Sequence, residues 1–248
     1  MAQFQLSLRK TQKRGNTRDE YEDAYAYRNT TRIANPPMLG IALADGASES
    51  AFSQQWAQLL VDDYAAYPYV KRDTMLKHSR RLAAEWKNEV WKPDLPWYVE
   101  ERIRIGAFST LLGLRILKDS GRWKAISVGD TCLFQIHNDQ LIRAWPLEKK
   151  EDFGRSPALL STDHVALQGV RKRIAVTEGQ ANTEDTFVLA TDALSAWFLE
   201  QNDKAKQPWL TLKEVDPHGF EGWIDKLRNS FQIRNDDVTC IICTVADA

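Results

Sequence analysis

Leu-Gly-Ile-Ala-Leu-Ala-Asp-Gly, residues 39–46, decides how the rest of the chain is read. An apolar run of strand length ends in a carboxylate, and a glycine follows. Short apolar runs bounded by turn residues are the signature of buried strands. A carboxylate at the end of such a run is carried on a rigid element and faces whatever lies beyond the sheet edge. Gly46 lets the backbone bend and its carbonyl approach a ligand closely. One Asp-Gly is usually just a turn, so the weight comes from recurrence. Residues 123–128 run into Gly129-Asp130, and residues 186–191 into Asp192. The apolar run 238–245 is preceded by Asp236 and Asp237, and Glu22-Asp23 opens the run 23–27.

Working outward, residues 4–8 alternate as a first strand, 13–20 are polar and turn-like, and 23–27 form a second strand. A loop through Asn35-Pro36-Pro37 leads to the third strand, 38–44. Residues 49–67 have helical periodicity, with Phe52, Trp56, Leu59, Leu60 and Tyr64 on one face. Residues 74–91 repeat it with Leu76, Leu82, Ala83, Trp86 and Val90, and Pro93 and Pro96 end that helix. Trp56 and Trp86 are read as core anchors. The centre then changes to short runs at 109–117, 123–128, 132–137 and 140–145. Asp119-Ser120-Gly121 and Asn138-Asp139 mark hairpin connections between them. Residues 148–156 are a charged surface excursion, 173–177 and 186–190 are strands, 193–200 and 220–231 are helices, and 238–245 is a last buried strand. This order is not β-α-β alternation. It predicts antiparallel sheets with segregated helices, an α+β layered fold, in a single domain over residues 1–248.

With 43% hydrophobic and 27% charged residues in 248, the composition is that of a globular protein. A net charge of -1 gives no reason to expect nucleic acid or an anionic membrane as partner. No apolar run is long enough to span a bilayer, and residues 1–10 lack an apolar signal core, so a cytoplasmic location is expected. Cys132, Cys240 and Cys243 sit in apolar runs, as reduced buried thiols do. Cys240 and Cys243 lie three apart in a strand and so point to opposite faces, which argues against a shared ion.

Gathered carboxylates repel and raise one another's pKa unless cations neutralise them. An all-oxygen donor set suits Mg²⁺ or Mn²⁺, and two such ions about 3.5–4 Å apart can flank a phosphoryl group. Arg18, just before Glu22-Asp23, is a residue type that grips phosphate oxygens with paired hydrogen bonds.

The motifs, in order, resemble those of the metal-dependent protein phosphatases, the PPM or type 2C serine/threonine family, over residues 15–245. Arg18-Asp19-Glu20-Tyr21-Glu22-Asp23-Ala24 resembles the first motif and Ala44-Asp45-Gly46 the Asp-Gly motif. Gly106 and Ser109-Thr110 resemble a Gly-Ser/Thr-Thr strand start, and Ser127-Val128-Gly129-Asp130-Thr131 a Val-Gly-Asp-Ser motif. Leu189-Ala190-Thr191-Asp192 is similar to the Thr-Asp-Gly motif, and Asn235-Asp236-Asp237-Val238-Thr239 to the Asp-Asn-x-Ser/Thr motif. The resemblance implies a four-layer α/β/β/α sandwich, two stacked antiparallel sheets flanked by helices, with a Mn²⁺ or Mg²⁺ pair at one end. It assigns Asp45 to both ions, Asp192 and Asp236 to one, and Glu22 and the Gly46 carbonyl to the other, with Asp23 in support. Asp130 and Asp192 would hold a third, weaker ion, and Arg18 the substrate phosphate, so that Arg18 and Asp45 carry the catalysis. The implied reaction is hydrolysis of phosphoserine and phosphothreonine on proteins by a hydroxide bridging two ions. It implies a phosphorylated protein as substrate, a cognate serine/threonine protein kinase, and a mobile cover at residues 148–176.

The departures mark a divergent, bacterial-type branch. Ala47-Ser48-Glu49 follows Gly46 where the family has x-Gly-Gly, and Ala47 replaces a histidine that many eukaryotic members use to protonate the leaving group. Ala193 replaces a glycine, and Asp237 replaces an asparagine and adds negative charge beside the site. Two other readings stay open: a pseudophosphatase that binds a phosphoprotein without turning it over, and a phosphatase of small metabolites. His78, His137, His164 and His218 have no nameable partner and read as surface residues, so no serine has an activating base.

Overall fold

Every strand pairing in this chain is antiparallel, as the order of strands and helices predicts. The computed structural model describes residues 3–32, 35–154 and 156–246. In order the elements are β1 (Gln3–Thr11), β2 (Asp23–Arg32), β3 (Asn35–Asp45), α1 (Ser53–Ala66), α2 (Arg72–Val90) and α3 (Trp97–Ile105). There follow β4 (Phe108–Ser109), β5 (Leu111–Leu117), β6 (Arg122–Val128), β7 (Cys132–His137), β8 (Gln140–Trp145) and β9 (Leu160–Ser161). The chain ends with α4 (His164–Gly169), β10 (Ala175–Gln180), β11 (Thr186–Ala190), α5 (Asp192–Asp203), α6 (Pro208–Glu214), α7 (Phe220–Asn229) and β12 (Val238–Ala246). These elements condense into two compact units. The first comprises Met1–Tyr21, Asp130–Ser156 and Ala181–Ala248, and the second Glu22–Gly129 and Pro157–Gln180.

The first unit holds a five-stranded sheet in the order β1-β12-β11-β7-β8. Alternate residues of β12, Val238, Cys240 and Ile242, pack with Phe198 of α5, Trp209 of α6 and Ile224 of α7. The intervening Thr239, Ile241 and Cys243 are buried as well, which is why this strand reads as a continuous apolar run rather than an alternation. The turn at Asn138 and Asp139, with φ of 48° and 51°, joins β7 to β8 in the left-handed backbone that tight hairpins require.

The second unit holds a five-stranded sheet in the order β10-β6-β5-β3-β2 and the small pair β4-β9. Helix α1 lies close on the large sheet because the sheet presents small residues beneath it. Ala42 and Ala44 of β3 share a core with Trp56, Leu60 and Tyr64. A Cβ on Gly113 of β5 would stand 2.3 Å from the Tyr64 ring, and one on Gly40 would stand 2.6 Å from Pro68. Trp56 and Trp86 are buried anchors, as expected; Trp56 Nε1 donates to the Leu160 carbonyl at 2.9 Å.

Several expectations are corrected. Asn35-Pro36-Pro37 opens β3 rather than forming a loop, since proline is tolerated at the first residues of a strand; residues 33–34 lie outside the described residues. Helix α1 begins at Ser53, not at residue 49, because Phe52 takes a left-handed φ of 55°. Helices α3, α4 and α6 were not expected; each is short, and α3 buries only Ile103. Two histidines have partners after all: His78 Nδ1 lies 2.7 Å from Asp63 Oδ2, and His137 Nδ1 lies 2.6 Å from Asp185 Oδ1. Residues 148–176 carry β9, α4 and 3₁₀ turns at Lys150–Asp152 and Val170–Arg173. Among the described residues, no helix is long and apolar enough to cross a membrane.

Two predictions follow from this packing. Gly113→Ala forces Tyr64 to shift and costs about 1–3 kcal/mol of unfolding free energy, read by denaturant titration; an unchanged midpoint contradicts the close helix–sheet approach. Burial pushes the thiols of Cys132, Cys240 and Cys243 up to about 12. The folded protein is therefore inert to a thiol reagent at pH 8 and reacts at all three cysteines only after denaturation.

Candidate functional site

In the second unit, antiparallel pairing of β2 with β3 sets Asp23 opposite Asp45. The backbone of Asp45 is gripped from the next strand start. Ser109 Oγ and the Thr110 N–H both donate to the Asp45 carbonyl at 2.9 Å, and the Asp45 N–H donates to Thr110 Oγ1 at 2.9 Å. Gly46 pairs with Ser109 in an isolated bridge, and its N–H donates to the Glu22 carbonyl at 3.3 Å. A Cβ at Gly46 would lie 2.9 Å from that carbonyl oxygen and 3.1 Å from Ser53, so only glycine lets the chain leave β3 along this path. The Glu22 carboxylate is oriented by hydroxyls: Ser53 Oγ donates to Oε1 at 2.7 Å, and Ser48 Oγ donates to Oε2. Ser48, one of the departures, therefore serves Glu22, while Ser50 Oγ donates to the Ala47 carbonyl at 2.9 Å and shapes the loop. Asp23 is buried. The structure thus brings together Glu22, Asp23, Asp45 and Gly46.

In the first unit, β11 ends at Ala190 and Asp192 is the first residue of α5. Its charge sits favourably at the positive end of the helix dipole. The Thr191 N–H donates to the Thr239 carbonyl and the Thr239 N–H to Thr191 Oγ1, both at 3.0 Å, which aligns the start of α5 with the start of β12. Asp236 precedes β12, and Asp130 lies between β6 and β7. The guanidinium of Arg234 joins two of these carboxylates: Nη2 to Asp192 Oδ2, and Nε to Asp236 Oδ2 at 3.1 Å. Burial raises the Asp130 carboxyl above its usual range; its own backbone and Arg234 oppose the shift, and Asp236 adds to it. Asp130 Oδ1 and Asp192 Oδ1 are buried with no hydrogen-bond partner.

Arg18 belongs to the first unit and stands on a separate 3₁₀ turn, Arg18–Glu20. The Thr17 N–H donates to Glu20 Oε2 at 2.7 Å, which closes the turn and lowers the Glu20 pKa. Arg18 lines a cavity of about 280 Å³ together with Lys10 and Tyr21. The preceding loop is tied to the stretch before β12. The Lys13 N–H donates to Asp237 Oδ1 at 2.6 Å, and the Arg14 N–H to Asn235 Oδ1 at 2.8 Å. Asp237 was expected to add charge beside the site; its Oδ1 instead anchors the loop that leads to Arg18.

Oxygen donors and two orphaned buried carboxylate oxygens fit a hard divalent cation, since an unsatisfied buried acceptor is costly. Among the described residues, no three histidine, cysteine or acidic side chains converge as a group able to hold an ion. The residue that sequence reasoning missed is Arg234. The signal available was a cation two positions before Asp236.

The fold is shared with solved phosphatases. The catalytic domain of the serine/threonine protein phosphatase PstP, in complex with two manganese ions, aligns over 100% of both chains at 16% identity and a TM-score of 0.60. The serine/threonine phosphatase PstP/Ppp of Mycobacterium tuberculosis aligns over 98% of this chain and 99% of its own, at 16% identity and 0.61. RsbX in complex with magnesium aligns over 99% and 100%, at 15% identity and 0.56. No protein-family profile and no curated protein matches the chain. The chain therefore has the α+β fold of these proteins.

Asp237→Ala strands the Lys13 N–H and lowers stability by about 1–3 kcal/mol, while Asp237→Asn keeps an acceptor and costs less. Denaturant unfolding of the two variants checks this order.

Proposed function

We propose that the chain is a metal-dependent serine/threonine protein phosphatase of the type 2C family, acting as one domain. The observation that carries this reading is the ordered set of carboxylate-terminated strands on a fold shared with PstP. Glu22, Asp23, Asp45 and the Gly46 carbonyl from one unit, with Asp130, Asp192 and Asp236 from the other, are the residues that would hold Mn²⁺ or Mg²⁺. Ions held there lower the pKa of water and offset the charge that develops on a phosphoryl group.

The chain's own groups do the positioning. Ser109 and Thr110 fix the main chain at Asp45, and Ser48 and Ser53 orient the Glu22 carboxylate. Arg18 binds and orients the phosphate from the mouth of its cavity, where Lys10 adds a second positive charge. Ala47 offers no proton to the leaving oxygen, so solvent supplies it. No covalent phosphoenzyme is required, because Ser48 and Ser50 are committed to Glu22 and Ala47. The substrate is a phosphorylated protein, and a cognate kinase supplies the phosphate.

The test is hydrolysis of a phosphothreonine peptide with Mn²⁺, Mg²⁺ or EDTA. Turnover needs the ion and falls by about a hundredfold or more in Asp192→Asn and Asp45→Asn. Activity that persists in EDTA contradicts the reading. A folded, ion-loaded protein without turnover points to a phosphoprotein-binding module, and faster hydrolysis of small phosphorylated metabolites points to a metabolite phosphatase.

A further inference from the structure

We propose that Arg234 is a built-in counter-cation that competes with a divalent ion for Asp192 and Asp236, so that the ion enters as the guanidinium leaves. This rests on the metal reading above and adds to it a residue that the motifs do not contain.

The geometry carries the argument. Two nitrogens of one planar guanidinium reach two carboxylates from different elements, the first residue of α5 and the loop before β12. The acceptors are the Oδ2 atoms of both residues, while Asp192 Oδ1 is left buried without a partner. A monovalent cation therefore satisfies part of the acceptor set and leaves the rest waiting, which is how a stand-in for a smaller and more highly charged ion would behave. Lone pairs engaged by N–H donors are not available to a metal, so the two cations exclude each other.

The loop is built so that the side chain can leave without unfolding it. Arg228, whose side chain is 4% exposed, donates from Nη2 to the Asp236 carbonyl at 2.7 Å and to the Gln12 carbonyl at 3.0 Å. Asn235 and Asp237 hold the backbone of Arg14 and Lys13. Arg234 lies among these anchored residues, yet its own side chain is 51% exposed. Rotation about its side-chain bonds carries the charge into water and opens the Oδ2 atoms, with the main chain fixed. In the absence of metal the same contact relieves repulsion among Asp130, Asp192 and Asp236.

The test compares wild type, Arg234→Ala, Arg234→Lys and Asp192→Asn by equilibrium Mn²⁺ binding and by thermal unfolding in EDTA. Arg234→Ala is expected to bind Mn²⁺ about tenfold more tightly, the scale of a charge-assisted hydrogen bond discounted for exposure. It should melt below wild type in EDTA and recover when Mn²⁺ is added. Arg234→Lys should fall between the two, because an ammonium makes a point contact rather than a paired one. Unchanged or weaker Mn²⁺ binding in Arg234→Ala, with wild type binding normally and Asp192→Asn losing an ion, overturns this inference and leaves the metal reading standing. Absence of Mn²⁺ binding in both wild type and Arg234→Ala overturns both.

Discussion

Carboxylates fixed at the ends of buried strands repel one another, and the rest of the structure answers that repulsion. The strands cannot give way. Asp45 ends a strand whose apolar residues are fully buried, and Asp192 opens a helix packed into the core of its own unit. The charges must therefore be met where they stand. The second unit meets them with hydroxyls and main-chain donors, from Ser48, Ser53, Ser109 and Thr110. The first meets them with a helix N-terminus and the guanidinium of Arg234. Neither answer is complete, since Asp130 Oδ1 and Asp192 Oδ1 remain buried and unpartnered.

The precision of each half of the site comes from packing that lies under it. Alanines and glycines in β3 and β5 let α1 press close to the sheet, and Ser53 at the start of that helix is the residue that reaches Glu22. A loss of closeness at Gly113 would thus be felt at the carboxylates through α1. In the first unit the loop before β12 is fastened by side-chain to main-chain hydrogen bonds with the loop after β1. That fastening places Arg18 and Asp236 on connected stretches of chain.

Much of this was legible in the sequence where periodicity and turn chemistry agree. Residues 186–190 were read as a strand and are β11, and Asn138-Asp139 was read as a hairpin turn and is one. The aromatic faces of α1 and α2 identified Trp56 and Trp86 as anchors. What was not legible depends on partners far away in the chain or on single backbone angles. Asp237 finds the Lys13 N–H 224 residues away, and no local pattern marks that. Phe52 sits in a left-handed conformation that its residue type does not announce. Short helices such as α3 and α6 bury too little to leave a periodic stripe. Arg234 read as an ordinary loop cation because its two carboxylate partners come together only in the fold.

The most direct measurement is an anomalous difference map from crystals of the protein grown with Mn²⁺. The account predicts manganese peaks coordinated by Asp45, Asp192 and Asp236, with the Arg234 guanidinium displaced from both of its carboxylates. Well-ordered crystals with no manganese at these carboxylates, and Arg234 still seated between Asp192 and Asp236, would contradict it.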